Sequence, residues 1–162
     1  IDIPTLCFLK EINAAGDCRM CIVEIEGRRG LVPSCNTMVE EGMVIKTSTP
    51  AVIEARRIVL DLILSNHDRE CLTCTRNGNC ELQRLAQEFY VDDIRYKGER
   101  NVHEIDDLSP AIVRDFNKCV LCRRCVATCK KVQGIGAIDS AQRGFASEVS
   151  TYQNKSLNDV NE

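Results

Sequence analysis

The sequence contains no tryptophan and few other aromatic residues, with four phenylalanines and three tyrosines among 162 residues. Aromatic side chains usually supply much of the bulk of a core. Any core must therefore be small and aliphatic, and small domains of that kind often depend on covalent or metal cross-links. The sequence also lacks an apolar run of about 18 residues and a signal peptide, so we predict neither a membrane span nor secretion. Its basic residues form no stripe and its net charge is -3, so nucleic-acid binding has no support.

Cysteine is the residue type that the chain has in excess, with eleven copies. An odd number leaves one thiol over in a complete disulfide framework. Without a signal peptide we expect a cytoplasmic protein, in which clustered thiols stay reduced and are more often metal ligands or redox groups. The cysteines fall into three groups, at 7–35, 71–80 and 119–129. The first residue is not Met and the polar tail 147–162 ends without a stop signal, so we expect a piece of a longer protein.

Local sequence patterns predict short strands and helices around these groups. Thr49 and Pro50 are typical of a helix start, with an N-cap followed by proline at the first helical position. Alternation and helical spacing of apolar residues predict the other elements: strands over 21–26, 31–34 and 44–47, helices over 51–65 and from Cys80 onward, and a turn-and-helix segment over 117–132. The glycines from Gly134 onward predict irregular backbone. We interpret His103 and the acidic stretch 104–107 as solvated surface rather than a metal site.

The first group is Cys7, Cys18, Cys21 and Cys35, with ten, two and thirteen residues in the three gaps. A 2Fe-2S cluster needs four thiolates, and plant-type ferredoxins supply them as C-x4-C-x2-C followed by a distant Cys. Here the first gap is longer by six residues, but the tight pair and the distant thiol remain. Gly16 precedes the tight pair, where the backbone must fold around sulfur. A structural zinc site is the alternative, although a zinc ribbon more often shows two C-x2-C pairs.

The second group is His67, Cys71, Cys74 and Cys80. By itself, one His with three Cys also fits a structural zinc site, and His67 could simply cap the end of the long helix. Because the group has no fourth cysteine, we predict that His67 completes the ligand set of a 4Fe-4S cluster. Gly78 supplies a tight turn, and Cys80 lies at a helix start, where the helix dipole favours a thiolate.

The third group is Cys119, Cys122, Cys125 and Cys129, in the C-x2-C-x2-C-x3-C spacing of the bacterial 4Fe-4S run. Disulfides between such near neighbours would be strained. Lys130 stands where proline commonly ends this run. In two-cluster ferredoxins the fourth Cys of the run ligates the other cluster. We therefore predict that the first three cysteines hold one 4Fe-4S cluster and that Cys129 serves a second cluster, absent from this chain.

The twelve candidate ligands close into three sets of four. Eleven cysteines and His67 leave no thiol over. Neither a zinc interpretation nor a disulfide interpretation gives this closure.

At these residues the chain resembles a known family. The first and second groups look like the 2Fe-2S and His-ligated 4Fe-4S segments that FeFe hydrogenases share with the large iron–sulfur subunit of respiratory NADH dehydrogenase. The third is most similar to the catalytic subunit of multisubunit NAD(P)-linked FeFe hydrogenases, and NAD-dependent formate dehydrogenases have a close version. The matching stretches are 3–7, 16–21, 33–35, 41–43, 67–83, 119–126, Gln133 and 143–145.

The resemblance implies an α+β chain of three units. The first, residues 1–49, is a 2Fe-2S ferredoxin-like (β-grasp) domain truncated at its N-terminus. The second, 50–108, is a small helical 4Fe-4S domain with one His and three Cys ligands, and the third, 109–162, is the first part of a bacterial-type two-cluster ferredoxin domain. Family members continue beyond such a region into a catalytic domain, so we expect no catalytic residue in this fragment.

The function that the resemblance implies is electron relay. We expect iron–sulfur clusters to pass single electrons between a hydrogen-activating site elsewhere in the parent protein and partner subunits that carry flavin and iron–sulfur clusters. NAD(P)H is the expected outer redox partner, with ferredoxin as a further candidate; no nucleic acid is involved. The alternatives are the electron-relay region of a formate dehydrogenase or NADH dehydrogenase and, from another class, a structural zinc-binding interaction module.

Overall fold

The computed structural model describes residues 1–159 as a series of short helices and strands joined by long connections. The three α-helices are α1 (Pro50–Asn66), α2 (Glu81–Glu88) and α3 (Arg124–Lys131). The five strands are β1 (Ile22–Ile25), β2 (Leu31–Pro33), β3 (Ile45–Lys46), β4 (Ile138–Ala141) and β5 (Glu148–Thr151). The last three residues of the predicted third unit lie outside the described part of the chain.

The first sheet is antiparallel, with the strand order β2-β1-β3. Ile22 faces Pro33 in the register of β1 and β2, and Gly27 at φ +78° begins the turn between these strands. Strand β2 ends one residue earlier than predicted, because Ser34 begins a 3-10 helix that carries Cys35. This register brings the end of β2 back beside Cys21.

Helix α1 begins where the sequence predicts. The Thr49 side chain accepts a hydrogen bond from the Val52 N–H, and Pro50 occupies the first helical position, so local cap chemistry is sufficient to define this end. The helix buries Val52 and Leu60, and it runs from the sheet of the first group to His67 at its C-cap.

The main core lies between α1, α2 and the loop that carries the first thiols. Its buried members are mostly aliphatic, as the scarcity of aromatic residues requires: Leu6, Cys7, Cys18, Met20, Leu60, Leu82, Leu85 and Phe89. Leu82, Leu85 and Phe89 form the buried side of α2, which confirms the predicted amphipathic pattern.

The segment after Gly134 is more ordered than the sequence predicts. Strands β4 and β5 pair as an antiparallel hairpin, with Ile138 opposite Thr151 and Ala141 opposite Glu148. Gly134 and Gly136 have positive φ values of +71° and +68°, and they form the turn that leads from α3 into this hairpin. The prediction of irregular backbone was wrong here, because these glycines serve a defined turn between a helix and a strand.

The described part of the chain contains no helix with the length and apolar character needed to cross a membrane.

Candidate metal centres

The cysteines of the first group lie on the loop before β1 and on the 3-10 helix that follows β2. Cys7, Cys18 and Cys21 are buried and Cys35 is half-buried. Burial, together with the neighbouring Cys18 thiol, raises the pKa of Cys7. The register of β1 and β2 brings the backbone before Cys35 beside Cys21, because the Ser34 N–H donates to the Cys21 carbonyl at 3.0 Å.

Burial and hydrogen bonding give these thiols unequal acidities. Burial, together with the neighbouring thiol groups, raises the pKa of Cys35 to about 12. Burial also acts on Cys18, but N–H groups of Met20, Leu6 and Cys7 outweigh it and lower the pKa of that thiol. One of these donors, Leu6 N–H, lies 3.4 Å from Cys18 Sγ. A sulfur that accepts backbone N–H groups is suited to carry negative charge in a buried cluster.

The loop around the first group depends on unusual backbone conformations. Gly16 has φ +73°, a conformation that favours glycine, and a Cβ atom at this position would lie 3.0 Å from Asn36 Nδ2, so the Asn36 side chain would have to shift. Arg19, between Cys18 and Cys21, also has a positive φ of +58°. Positive φ in a residue with a side chain is uncommon and concentrates at functional sites.

Three members of the second group line a small cavity, and Cys74 is not among them. His67, Cys71 and Cys80 line a cavity of about 240 Å³, whose other walls include Leu64 and Leu82. Cys74 lies one turn from Cys71, to whose carbonyl its N–H donates at 3.2 Å. The Arg76 N–H reaches Cys74 Sγ at 3.5 Å.

His67 ends α1, but its ring is not used for capping. Its backbone N–H donates to Leu64 O, whereas the ring atom Nδ1 is buried and has no hydrogen-bond partner among residues 1–159. Burial lowers the pKa of His67, so its imidazole is neutral near pH 7. A neutral imidazole with a free buried nitrogen is the form that binds a metal.

The third group lies on a turn and on α3. Cys119, Cys125 and Cys129 line one cavity of about 540 Å³ with mainly apolar walls. Cys122 packs against the main core instead. Burial raises the pKa of both Cys119 and Cys125, and the Leu121 N–H lies 3.4 Å from Cys119 Sγ. Cys129 thus shares a cavity with Cys119 and Cys125. The assignment of Cys129 to a different cluster stays a prediction.

The same core joins all three ligand groups. Cys7 and Cys18 belong to it, and Cys80, Cys122 and Val120 pack against it. Residues that are far apart in sequence therefore place thiols from each group on one small apolar body. Among residues 1–159, no three His, Cys, Asp or Glu side chains have the arrangement of a single-ion site.

Local sequence patterns do not reveal the roles of three polar residues near the thiols. Arg56 is buried and binds the backbone on both sides of Cys21. Asn13 contacts the first and third groups, and Arg124 has a buried Nε with no partner in the described residues. Asn13 lies in the first gap, between Cys7 and Cys18. The unusual length of this gap is the one sequence feature that points to Asn13.

The interpretation of 103–107 as solvated surface was wrong for two of its residues. The His103 ring packs on Phe116, with its Nδ1 3.7 Å from a Glu148 carboxylate oxygen. Asp106 is half-buried and accepts a hydrogen bond from Arg114 Nε at 2.8 Å. Both residues contact segments that follow 103–107 in the chain. A local sequence pattern does not reveal such contacts.

Three family models match the chain in order. The 2Fe-2S iron-sulfur cluster binding domain matches residues 1–50, and the NADH-ubiquinone oxidoreductase-G iron-sulfur binding region matches residues 56–95. The ferredoxin-like domain of NADH-quinone oxidoreductase subunit 3 matches residues 109–161. Over 94% of its length the chain is similar to an iron–sulfur region of the NADH-quinone oxidoreductase G type. The expected α+β class, the order of its three parts and the 2Fe-2S and 4Fe-4S cofactors are thereby confirmed.

Individual relatives of this G-type region belong to oxidoreductase complexes. The NADP-reducing hydrogenase subunit HndD of Solidesulfovibrio fructosivorans is 45% identical over 99% of this chain and 28% of its own length. The G 2 subunit of the NADH-quinone oxidoreductase of Rhizobium meliloti is 38% identical over 94% of this chain and 18% of its own. The chain thus spans less than a third of these relatives.

A solved structure has the same fold. The crystal structure of an NAD+-reducing [NiFe]-hydrogenase in the H2-reduced state aligns with a TM-score of 0.86 and 29% identity. The alignment covers 93% of this chain and 63% of the other. The G-type region therefore occurs in hydrogenases as well as in NADH dehydrogenases, which supports a general role as an electron-relay part of oxidoreductases.

Proposed function

We propose that this chain is the electron-relay region of an NAD(P)-linked FeFe hydrogenase. The observation that carries the proposal is the single core that contacts thiols from all three groups, since a relay needs its redox groups close to one another. Of the two relatives described above, the more similar one is a hydrogenase subunit. Bound iron–sulfur clusters would supply one-electron chemistry at these sites.

The ligand assignment in this proposal follows the three groups. We assign Cys7, Cys18, Cys21 and Cys35 to a 2Fe-2S cluster, and His67, Cys71, Cys74 and Cys80 to a 4Fe-4S cluster. Cys119, Cys122 and Cys125 hold a further 4Fe-4S cluster, while Cys129 serves a cluster completed elsewhere in the parent protein. The orphaned Nδ1 of His67 supports this partition.

The protein's own contribution is to set charge and hydrogen bonding around each site. Backbone N–H groups point at Cys18, Cys74 and Cys119, and such bonds favour the reduced state of a cluster. The neutral ring of His67 carries no negative charge where the other ligands are thiolates. By the logic of Rieske centres, this substitution raises the potential of the second site.

The proposal places the region in the cytoplasm as three units, 1–49, 50–108 and 109–162. Its partners are flavin- and iron–sulfur-carrying subunits of the same complex, and NAD(P)H and ferredoxin are the outer redox partners. Electron bifurcation between these two outer partners is part of the same proposal. The NADP-reducing hydrogenase relative supports a nicotinamide link.

A second candidate is the corresponding region of an NADH-quinone oxidoreductase. Two of the three family models and the Rhizobium meliloti relative favour it. It assigns the same clusters but a different parent enzyme.

Reduction of the parent complex by hydrogen separates the two candidates. In a hydrogenase, H2 alone should bleach the visible absorption of the clusters and produce their EPR signals. Reduction by NADH with no response to H2 would overturn the hydrogenase proposal and favour the second candidate. The matched control is the same complex with Cys35→Ala, which should lose the 2Fe-2S signal under either reductant.

A further inference from the structure

Asn13 lies in the gap between Cys7 and Cys18, in a closed turn of the backbone. Leu9 N–H donates to Asn13 O at 2.8 Å, and Asn13 N–H donates back to Leu9 O at 2.7 Å. Glu11 completes the turn with a φ of +64°. Five of the ten residues in this gap, 9–13, therefore form a compact, hydrogen-bonded unit, and the gap exceeds the plant-type spacing by six residues.

The side chain of Asn13 connects two ligand groups directly. It is only 6% exposed, and its Nδ2 donates to Cys7 O at 2.9 Å and to Cys122 O at 3.0 Å. Both neighbours are carbonyl oxygens, which only accept hydrogen bonds, so the amide NH2 must face them and both of its N–H donors are used. One side chain thus bridges a first-group cysteine and a third-group cysteine.

Two further contacts dock the third group onto the same turn. Arg124 Nη2 donates to Phe8 O at 2.9 Å, and Lys131 Nζ donates to Ile12 O at 2.6 Å. These contacts reach carbonyls of residues that are not candidate ligands. Asn13 differs from them because both of its acceptors belong to candidate cluster ligands and because it is buried.

We propose that Asn13 is a positioning residue that fixes the third ligand group against the first, so that their two clusters exchange electrons directly across the Cys7–Asn13–Cys122 bridge. The inference rests on the proposed function. One electron lost by one cluster is gained by the other, and Asn13 itself is neither oxidised nor reduced. The longer first gap is then explained by the docking of the third group rather than by the geometry of the 2Fe-2S site.

The magnetic interaction between the two clusters tests the proposal. The chain is reconstituted anaerobically with iron and sulfide in the presence of 2-mercaptoethanol, whose thiolate completes a three-cysteine cluster. Power saturation of the reduced 2Fe-2S EPR signal is then measured with the third cluster reduced and with it oxidised. The wild type should relax faster when the third cluster is reduced, and Asn13→Ala should lose most of this enhancement.

Two variants keep the result interpretable. Lys131→Met removes a contact of the same interface that touches no candidate ligand, and it should keep the enhancement. Asn13→Ser keeps one hydrogen-bond donor, so its relaxation enhancement should be intermediate between those of the wild type and Asn13→Ala. If Asn13→Ala does not fold, Asn13→Ser tests the bridge in its place.

Different results contradict the role of Asn13 and the proposed electron-relay function. Asn13→Ala or Asn13→Ser with both cluster signals and an unchanged enhancement would overturn the bridge alone, as would an equal loss in Lys131→Met. If, with 2-mercaptoethanol present, the wild-type chain shows no 2Fe-2S signal or no third-cluster signal, the proposed function is overturned together with the bridge.

Discussion

Arg56 on α1 donates a hydrogen bond from Nε to the carbonyl oxygen of Met20 at 3.0 Å. Its Nη2 also donates to Ile22 O at 2.9 Å, so one guanidinium holds the backbone on both sides of Cys21. Burial lowers the pKa of Arg56, and the electrostatic influence of Cys21 and Glu88 opposes this effect. A guanidinium stays charged in proteins. The first group therefore has a buried positive charge beside it.

Replacement of Arg56 by Met should destabilise the chain and lower the potential of the 2Fe-2S site. Two carbonyls would lose charge-assisted partners, which costs about 3 kcal/mol of unfolding free energy. Loss of a nearby positive charge favours the oxidised cluster, so the midpoint potential in an EPR-monitored redox titration should fall.

Arg57→Met is the matched control for this change. Arg57 lies next to Arg56 on the same helix but donates from Nε to Phe89 O at 3.0 Å. It should cost about 1 kcal/mol and leave the 2Fe-2S potential unchanged. An Arg56→Met chain that is folded and keeps the wild-type potential would contradict the electrostatic role.

Replacement of His67 by Cys should keep the second cluster and lower its potential, because an anionic thiolate replaces a neutral ring. The measurement is a redox titration of the 4Fe-4S EPR signal. His103→Cys is the control, since His103 is the other histidine of the chain and packs on Phe116. An unaltered potential in His67→Cys would remove His67 from the ligand set.

Removal of Cys129 should leave the third site of this chain as it was, whereas removal of Cys125 should abolish it. The expected content without a third cluster is roughly six irons per chain, against about ten with one. Iron analysis and EPR of Cys129→Ala and Cys125→Ala check this. A stable count near ten that falls equally in both variants would show that the run closes on itself, in line with the cavity that Cys119, Cys125 and Cys129 share.

Asp106 should give the chain an acid-sensitive contribution to stability. Hydrogen bonding to Arg114, together with Ser156, holds the pKa of Asp106 below its usual value. The folded pKa is depressed, so this stabilisation is fully present above about pH 4 and is lost as the pH falls through the lower folded pKa. Urea unfolding from pH 6 down to pH 3 should show a shallower decline for Asp106→Asn than for the wild type. Asp107→Asn is the control, since Asp107 is exposed. The same decline in stability for Asp106→Asn and the wild type would contradict this role of Asp106.

The sequence predicts the parts of this structure that depend on local chemistry. The start of α1 at Thr49 and Pro50 and the buried side of α2 follow from cap and spacing rules. The ligand groups are visible because iron–sulfur clusters impose fixed spacings on cysteine.

Contacts between distant segments escape such reasoning. Asn13 and Cys122 are 109 positions apart, and Arg56 and Met20 are 36 apart. Nothing in the neighbourhood of Asn13 distinguishes a bridging amide from a polar loop residue. The β4–β5 hairpin was missed for a related reason, because its stability comes from pairing and from packing on α3 rather than from a clear alternation of apolar residues.

We propose that these cysteines and His67 hold iron–sulfur clusters rather than zinc. The most direct measurement is iron, acid-labile sulfide and zinc per chain after anaerobic reconstitution, together with low-temperature EPR of the reduced wild type and of Cys35→Ala. We predict a brown protein with at least roughly six irons, matching sulfide and a 2Fe-2S signal that Cys35→Ala loses. A colourless protein that binds zinc without sulfide, or a 2Fe-2S signal that survives unchanged in Cys35→Ala, would contradict the account.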